Sequence, residues 1–381
     1  MGQDIAPQRF VHRDFERFAR HLRAETDALH DLVESGRVSA HAPMAGHEHE
    51  ARQVDAAGRP AACNDAFLAR VDSADVVTEL GRFQIELNVP PQPTAGDGLW
   101  RLHDSLLALW QRCQAVAREM QLQVLAIGIL PTLADADLGA DNRSRRARKR
   151  AQGPPVRGPR HGRAGPGGIA GPRGRIAVAH DDVMLEAAST SFQVHLQLPA
   201  PLAARAYNAA HIASAFSVAL AANSPLLFGQ RLWHETRIPV FEQSMDIGSR
   251  VDTHEALARV GFGSGYVGYS LVECFRENAE RFEPLLPVAL DDASAPLAHL
   301  RLHNGTIWRW NRPLVGFDAD GTPHLRVEHR PMAAGPSIVD MMANLAFALG
   351  LIAELAHAES PPELALPFDA VRRNFYAAAR D

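Results

Sequence analysis

Apolar residues recur at helical spacing between Asp14 and Glu34, where Phe15, Phe18, Ala19, Leu22 and Leu29 share a face and Gly36 follows as a stop. From Gly46 to Val54 the pattern predicts a strand, followed by a turn at Ala57-Gly58-Arg59-Pro60. Val76 to Val89 alternates in its second half and ends at Pro90-Pro91, and Leu99 to Leu125 has the spacing of a long helix running into AIGILPTL. Met184 to Leu198 changes from helical to alternating spacing, and Ala200 to Ala222 reads as helix. Two more strands are expected at Gly305–Asn311 and His324–Arg330, with closing helices at about Ser337–His357 and Pro362–Arg380. No internal repeat is visible. Strands and helices do not alternate regularly, which disfavours a parallel doubly wound sheet. The expected class is α+β: an antiparallel sheet with helices packed on one side.

The strand candidates carry unusual polar faces. Alternate residues of a strand point to the same side. In GHEHE that places Glu48 with Glu50, and in ELGRFQIELN it places Gln84, Glu86 and Asn88 opposite Phe83, Ile85 and Leu87. In SFQVHLQL, Gln193, His195 and Gln197 oppose Phe192, Val194, Leu196 and Leu198. In HLRVEHR, Arg326, Glu328 and Arg330 oppose Leu325 and Val327. A wet sheet face carries charge in any antiparallel protein. This one offers glutamates, which suit magnesium, and arginines, whose fork suits phosphate oxygens. HEHE does not read as a zinc site, because alternation sends its two histidines and two glutamates to opposite faces. His180, Asp181 and Asp182 read as a polar lead into the next element.

The ordered set GxExE, ELGRFQIELNVPP, GILPTL, HDDVMLEAASTSFQVHLQLP, NSPLLFG, LWHETR, HNGTIWRWNRP and HLRVEHRPMAAGPSIVDMMAN resembles glutamate–cysteine ligase family 2. The resemblance implies a single ligase domain over residues 1–381 with a glutamine synthetase-like fold, its antiparallel sheet forming a funnel-like active site. It implies an ATP-dependent carboxylate–amine ligase that activates glutamate as an acyl phosphate and passes it to an amine, with cysteine one candidate. The alternative is a relative that binds nucleotide or a small acid without turnover. By position in the motifs, Glu48, Glu50, Glu79, Glu86 and Glu328 match magnesium ligands, while Gln193 and His195 match polar positions of the metal or nucleotide site. Arg330 matches a phosphate-binding and catalytic arginine. Arg309 and Arg237 match phosphate or substrate-carboxylate positions, though both can equally be structural ion-pair residues, and Glu79 can equally pair with an arginine. Trp308 and Trp310 read as packing residues. ATP and Mg2+ are the implied cofactors, and glutamate and an amine the implied small-molecule substrates. The identity of the amine, the number of metal ions and the question of a homo-oligomer stay open.

Charge changes this picture at one place. The formal net charge is −5, but Asn142 to Val178 holds eleven basic residues and no acidic one, so the rest of the chain carries −16. Broad binding of a polyanion such as nucleic acid is therefore not expected. Within those 37 residues are eight glycines, five prolines and four large aliphatics, a composition that predicts no packing. Arg/Gly runs do bind RNA, but aromatic residues are absent from this one. Arginine outnumbers lysine 38 to one in the chain, which points to a GC-rich gene. A wrong reading frame in such DNA yields Arg, Gly, Pro and Ala, so two compensating frame changes account for residues 142–178 as well as disorder does. Three scattered cysteines fit a reducing cytosol. Charge throughout the first thirty residues speaks against a signal peptide. The apolar runs near Ala213–Phe228 and Met341–Ala356 are broken by Asn223, Asn344 and Glu354 and read as buried helices, so a cytoplasmic protein without a membrane span is expected.

Overall fold

The computed structural model describes residues 10–144, 168–171, 174–178, 180, 183–244, 258–290 and 295–381. In chain order the elements are α1 (His12–Glu34), β1 (Met44–Val54), α2 (Asn64–Val71), β2 (Val76–Thr78), β3 (Gln84–Asn88), β4 (Gln92–Pro93), α3 (Gly98–Glu119) and β5 (Gln123–Leu125). Then follow β6 (Ile169–Gly171), β7 (Gly174–Ile176), β8 (Phe192–Leu198), α4 (Ala200–Ala221), β9 (Leu226–Leu227), β10 (Gln230–Arg231) and α5 (Arg237–Ser244). The remainder comprises β11 (Val260–Gly261), α6 (Val272–Arg281), α7 (Ala298–Asn304), β12 (Trp308–Arg309), β13 (Asn311–Phe317), β14 (Pro323–His329), α8 (Ile338–His357) and α9 (Phe368–Arg380).

The main sheet runs β13-β14-β8-β1-β3-β2, every pair antiparallel, with β4 and β5 attached to the two ends of β1. Its apolar face is the one alternation assigned. Phe192, Val194, Leu196 and Leu198 of β8 join Ile85, Leu87, Leu325 and Val327 in one core with Ala210 and Ala213 of α4 and Met341, Leu345 and Ile352 of α8. The α+β architecture with a helical layer on one face of an antiparallel sheet is therefore as expected. The two layer helices lie antiparallel: Arg205 at the start of α4 donates to Ala358 O past the end of α8, and Asn223 past the end of α4 donates to Ala334 O before α8 begins. Helix α8 is long and apolar enough to cross a membrane by length and composition. Here it packs against α4, α3 and β8 as a core element.

Two expectations are corrected. The strand expected at Gly305–Asn311 is displaced: β12 is two residues long, and the long strand is β13, Asn311–Phe317. Pro313 argues against a strand in sequence, yet β13 is the sheet edge, where a missing donor is tolerated. The end of the basic segment also packs, against the composition-based expectation. β6 and β7 form a hairpin with Ile169 buried, and Trp233 Nε1 donates to Ala170 O at 2.9 Å. Gly171 lies so close to the chain that an added Cβ would meet Leu232 Cα at 2.3 Å. Residues 145–167, most of the segment in question, lie outside the described residues, as do Asp181 and Asp182. Helices α5, α6 and α7 were not anticipated from spacing; each is short, at ten residues or fewer.

Buried histidines give the fold a pH dependence. Burial, aided by Arg309 and His329, pushes His211 down to about 3, and burial pushes His303 down to about 4, from 6.5. Both stay neutral in the folded chain, while the unfolded chain takes up protons below about 6.5. Stability is thus intact above that pH and lost progressively toward the folded values, by about 1.4 kcal/mol per pH unit for each such group. Urea midpoints measured from pH 7 to pH 4.5 should fall, and His303→Gln, which cannot titrate, should flatten the fall. An unchanged slope in that variant would remove His303 from the account.

Candidate active site

Strand register turns the polar face into an ordered array. Directly opposed residues on adjacent strands share a face, with Cβ atoms about 5 Å apart. One cross-strand row is Gly46–His195–Glu328–Arg312, across β1, β8, β14 and β13. The next toward β3 is Asn88–Glu48–Gln193, which Arg330 joins through a hydrogen bond from its Nη1 to Gln193 Oε1. Beyond it Glu50 faces Glu86 directly, and Ser191 N donates to Glu50 Oε2 at 2.8 Å. On the far side of the His195 row lies Met44–Gln197–Arg326–Leu314. His47 and His49 point the other way and lie buried against Phe192 and Trp110.

The charges divide into compensated and uncompensated groups. Glu328 is wholly buried. Arg312 forks onto it, Nε to Oε2 at 2.5 Å and Nη2 to Oε1 at 2.8 Å, and Arg330 Nη1 lies 3.1 Å from Oε1. Burial works against the Glu328 charge, but Arg312, Arg330 and His195 outweigh it and hold the carboxyl well below its ordinary range. Burial likewise opposes the Glu48 charge, and His195 outweighs it, holding Glu48 at about 2. Glu50 behaves differently. Burial and the facing Glu86 raise it to about 7, against the pull of Ser191 and Arg330. Two directly opposed buried carboxylates repel each other, which a bound cation would relieve.

A small open cavity lies beside this array, lined by Glu50, Glu79, Gln84, Glu186, Arg237 and Arg330, with apolar wall from Leu80, Ala187 and Phe241. Its far wall is a short 3₁₀ segment, Val183–Ala188, whose carbonyls are fixed by the buried Arg52: its guanidinium donates to Ala187 O and Ala188 O. Gln84 ties the wall together, accepting from Gly81 N and donating to Ser189 O.

Nine of the ten residues singled out in sequence fall on this face or its cavity. Glu48, Glu50, Glu86, Gln193, His195, Glu328 and Arg330 form the array, and Glu79 and Arg237 line the cavity. Arg237 also has structural partners, pairing with Glu235 at 3.0 Å and donating to Pro331 O. Arg309 is not brought there. Its guanidinium turns to α6, bonding Glu277 at 2.5 Å and Asn278 at 2.9 Å, because β12 pairs with β11 outside the main sheet. The arginine of the WRWNRP stretch that reaches the array is Arg312, three residues on. A signal for it exists: the turn Asp318-Ala319-Asp320-Gly321, closed by Asp318 N to Thr322 O with Gly321 at φ 86°, fixes the β13–β14 register and sets Arg312 opposite Glu328. Glu186 and Ser191 were also not singled out, and Gln84 was placed on the polar face without a role in the site. Trp310 is a packing residue, buried and bonded to Glu242.

The donor set fits a divalent cation. Glu48, His195 and Glu328 each place one ligand atom within 4.8 Å of the others. His195 Nε2 is buried 3.2 Å from Glu48 Oε1 and 3.7 Å from Glu328 Oε1. Three ligand atoms converging on one point are how side chains surround an ion, and the Glu50–Glu86 pair offers a second concentration of hard oxygen donors.

A family model for glutamate-cysteine ligase family 2 matches residues 44–380. No curated protein matches the chain. Among solved structures, the glutamate–cysteine ligase of Francisella tularensis in complex with AMP is 11% identical at a TM-score of 0.49, over 90% of this chain and 72% of that one. A bifunctional glutathione synthetase from Pasteurella multocida is 12% identical at 0.46, over 98% of this chain; the match spans 43% of that longer protein. A glutamine synthase homologue is 14% identical at 0.31, over 94% and 71%.

Removing one partner from a buried ion pair strands the other charge. Arg330 stays beside Glu328, so Arg312→Met should destabilise the fold by less than the about 3–5 kcal/mol of a fully stranded charge, measured in chemical denaturation. Arg312→Met combined with Glu328→Gln should recover much of that loss. A double variant no more stable than the single one would show that Arg312 acts through packing alone.

Proposed function

The chain belongs to glutamate–cysteine ligase family 2, and from that membership and the array on the sheet we propose that it is an ATP-dependent ligase joining the carboxylate of glutamate to an amine. The observation that carries the reading is the convergence of Glu48, Glu50, Glu79, Glu86 and Glu328 with Arg330 on one sheet face and its cavity. A carboxylate is a poor electrophile, so the reaction class requires its activation by phosphoryl transfer before the amine attacks. That transfer depends on positioning and charge neutralisation more than on a covalent protein nucleophile.

The residues divide this work. Glu48, Glu50, Glu79, Glu86 and Glu328, with His195, would hold Mg2+, which when bound neutralises phosphate charge and draws nucleotide and acid oxygens together. Gln193 fixes Arg330 by accepting from its Nη1 while donating to Glu50 Oε1 at 3.1 Å. Burial opposes the Arg330 charge, but Glu328, Glu48 and Glu50 outweigh it and raise its pKa, so the guanidinium stays charged and faces the cavity ready to meet a phosphoryl group. Arg237 holds the end of β14 in place through Pro331 O and adds a second positive charge to the cavity wall. Apolar surface from Leu80, Ala187 and Phe241 excludes water, which otherwise competes with the amine.

Purified protein with ATP, Mg2+, glutamate and a pool of amino acids and amines should release ADP only when acid and amine are both present, and splitting the pool identifies the amine. ADP release that ignores the amine, or none with any acid, overturns the ligase reading. Chelation with EDTA should abolish release and added Mg2+ restore it. Glu50→Gln should lower the rate by about two orders of magnitude or more while leaving the denaturation midpoint close to wild type or higher, because the substitution relieves the Glu50–Glu86 repulsion.

A further inference from the structure

Helices α4 and α8 cover the apolar face of the sheet, and their inner sides fill the core. Their outer sides are apolar as well. On α4, Phe216 is 54% and Leu220 59% exposed; on α8, Val339 is 67% and Phe347 41% exposed. Between these lie Ala219, Ala343, Ala346, Gly350 and Ala353, all exposed. The two helices run antiparallel, with Arg205 bonded to Ala358 O and Asn223 to Ala334 O. That register sets Phe216 and Leu220 level with the first turns of α8, so the set forms one continuous face. No Asp, Glu, Lys or Arg occurs from Ala206 to Ala221 on α4 or from Met341 to Ala353 on α8. A surface helix ordinarily carries charge on its outer side, and one that is apolar all round is ordinarily buried.

The size and character of the face indicate what covers it. At about 200 Å² for a full aromatic side chain and somewhat less for Leu and Val, it exposes on the order of 500 Å² of apolar surface. A stable protein–protein contact takes about 800 Å² from each partner, and in homodimers roughly two-thirds of that is apolar, which is the amount found here. Transient partners meet on surfaces about as polar as the rest of a protein, whereas lasting homodimers resemble a core cut in half. An uncharged face is also complementary to itself, as two-fold pairing requires. A lipid surface is drawn by clustered Lys or Arg. The charges that bound this face on the two helices are Arg205, engaged with Ala358 O, and the acids Asp340 and Glu354. We propose that the outer face of α4 and α8 is the interface of a two-fold homodimer, in which Phe216 and Phe347 of one copy pack over the shallow ground of Ala343, Ala346 and Gly350 of the other. The carboxylate array lies on the opposite face of the sheet, so the site of each copy stays open.

Sedimentation of the full chain across micromolar concentrations tests this. Wild type should sediment at twice the chain mass. Phe347→Glu sets a charge within the contact and should weaken association by about 100-fold or more, the effect of losing a buried hot spot. Ala343→Glu, at an exposed helical position that accepts glutamate in a lone chain, should weaken it by about tenfold or more. Both should keep the helical circular-dichroism signal of wild type. Tyr269→Glu, exposed but outside the face ahead of α6, should leave the dimer intact. Should Phe347→Glu fail to fold, Ala343→Glu alone carries the test. Wild type that stays monomeric at every concentration overturns the proposal, as does a dimer that both helix variants leave unchanged. Flotation of monomeric wild type with phosphatidylglycerol vesicles assigns the face to lipid and equally overturns it.

Discussion

Glu328 carries a negative charge with no access to solvent, and the rest of the site is arranged around supplying its counter-charge. Stranding such a charge costs several kcal/mol. Arg312 meets it from the edge strand and Arg330 from two residues further along its own strand, while Gln193 fixes Arg330 and in turn reaches Glu50. One ion pair thereby links four strands through side chains as well as backbone. The same arrangement gathers His195, Glu48, Glu50 and Glu86 onto neighbouring rows of one face, the donor types a divalent cation takes.

Much of this was legible because a strand has a period of two. Alternation alone assigned Glu48 and Glu50, Gln193 and His195, and Glu328 and Arg330 to polar faces, and the structure sets those faces side by side. Residues within one strand can be sorted that way; partners across strands cannot, since pairing depends on register. That is why Arg309 drew attention and Arg312 did not. Both sit in WRWNRP, and only the turn after Phe317 determines which one meets Glu328. Glu186 was hidden for another reason: it lies on a 3₁₀ segment whose place is set by the buried Arg52, a contact 135 residues apart in sequence.

Composition misled where packing needed glycine. The hairpin Ile169–Ile176 holds few apolar residues, yet Ile169 enters the core below the cavity wall and Gly171 permits a backbone approach that any side chain would block. A glycine-rich stretch can thus be either a poor core or a close contact, and residue counts do not separate the two.

The strands that compose the array are far apart in the chain. Glu48 and Glu328 are separated by 280 positions, and β8 lies between them in both sequence and space. During synthesis at roughly 5–20 residues per second, the β1 carboxylates wait on the order of 15–55 s before their arginine-bearing partners leave the ribosome. Over that interval β1 and β3 can pair only by setting Glu50 against Glu86 before Arg237 and Arg330 are made, with Arg52 of β1 the guanidinium beside Glu50. The charge pattern that suits a cation in the finished sheet is thus complete only once β14 has been made.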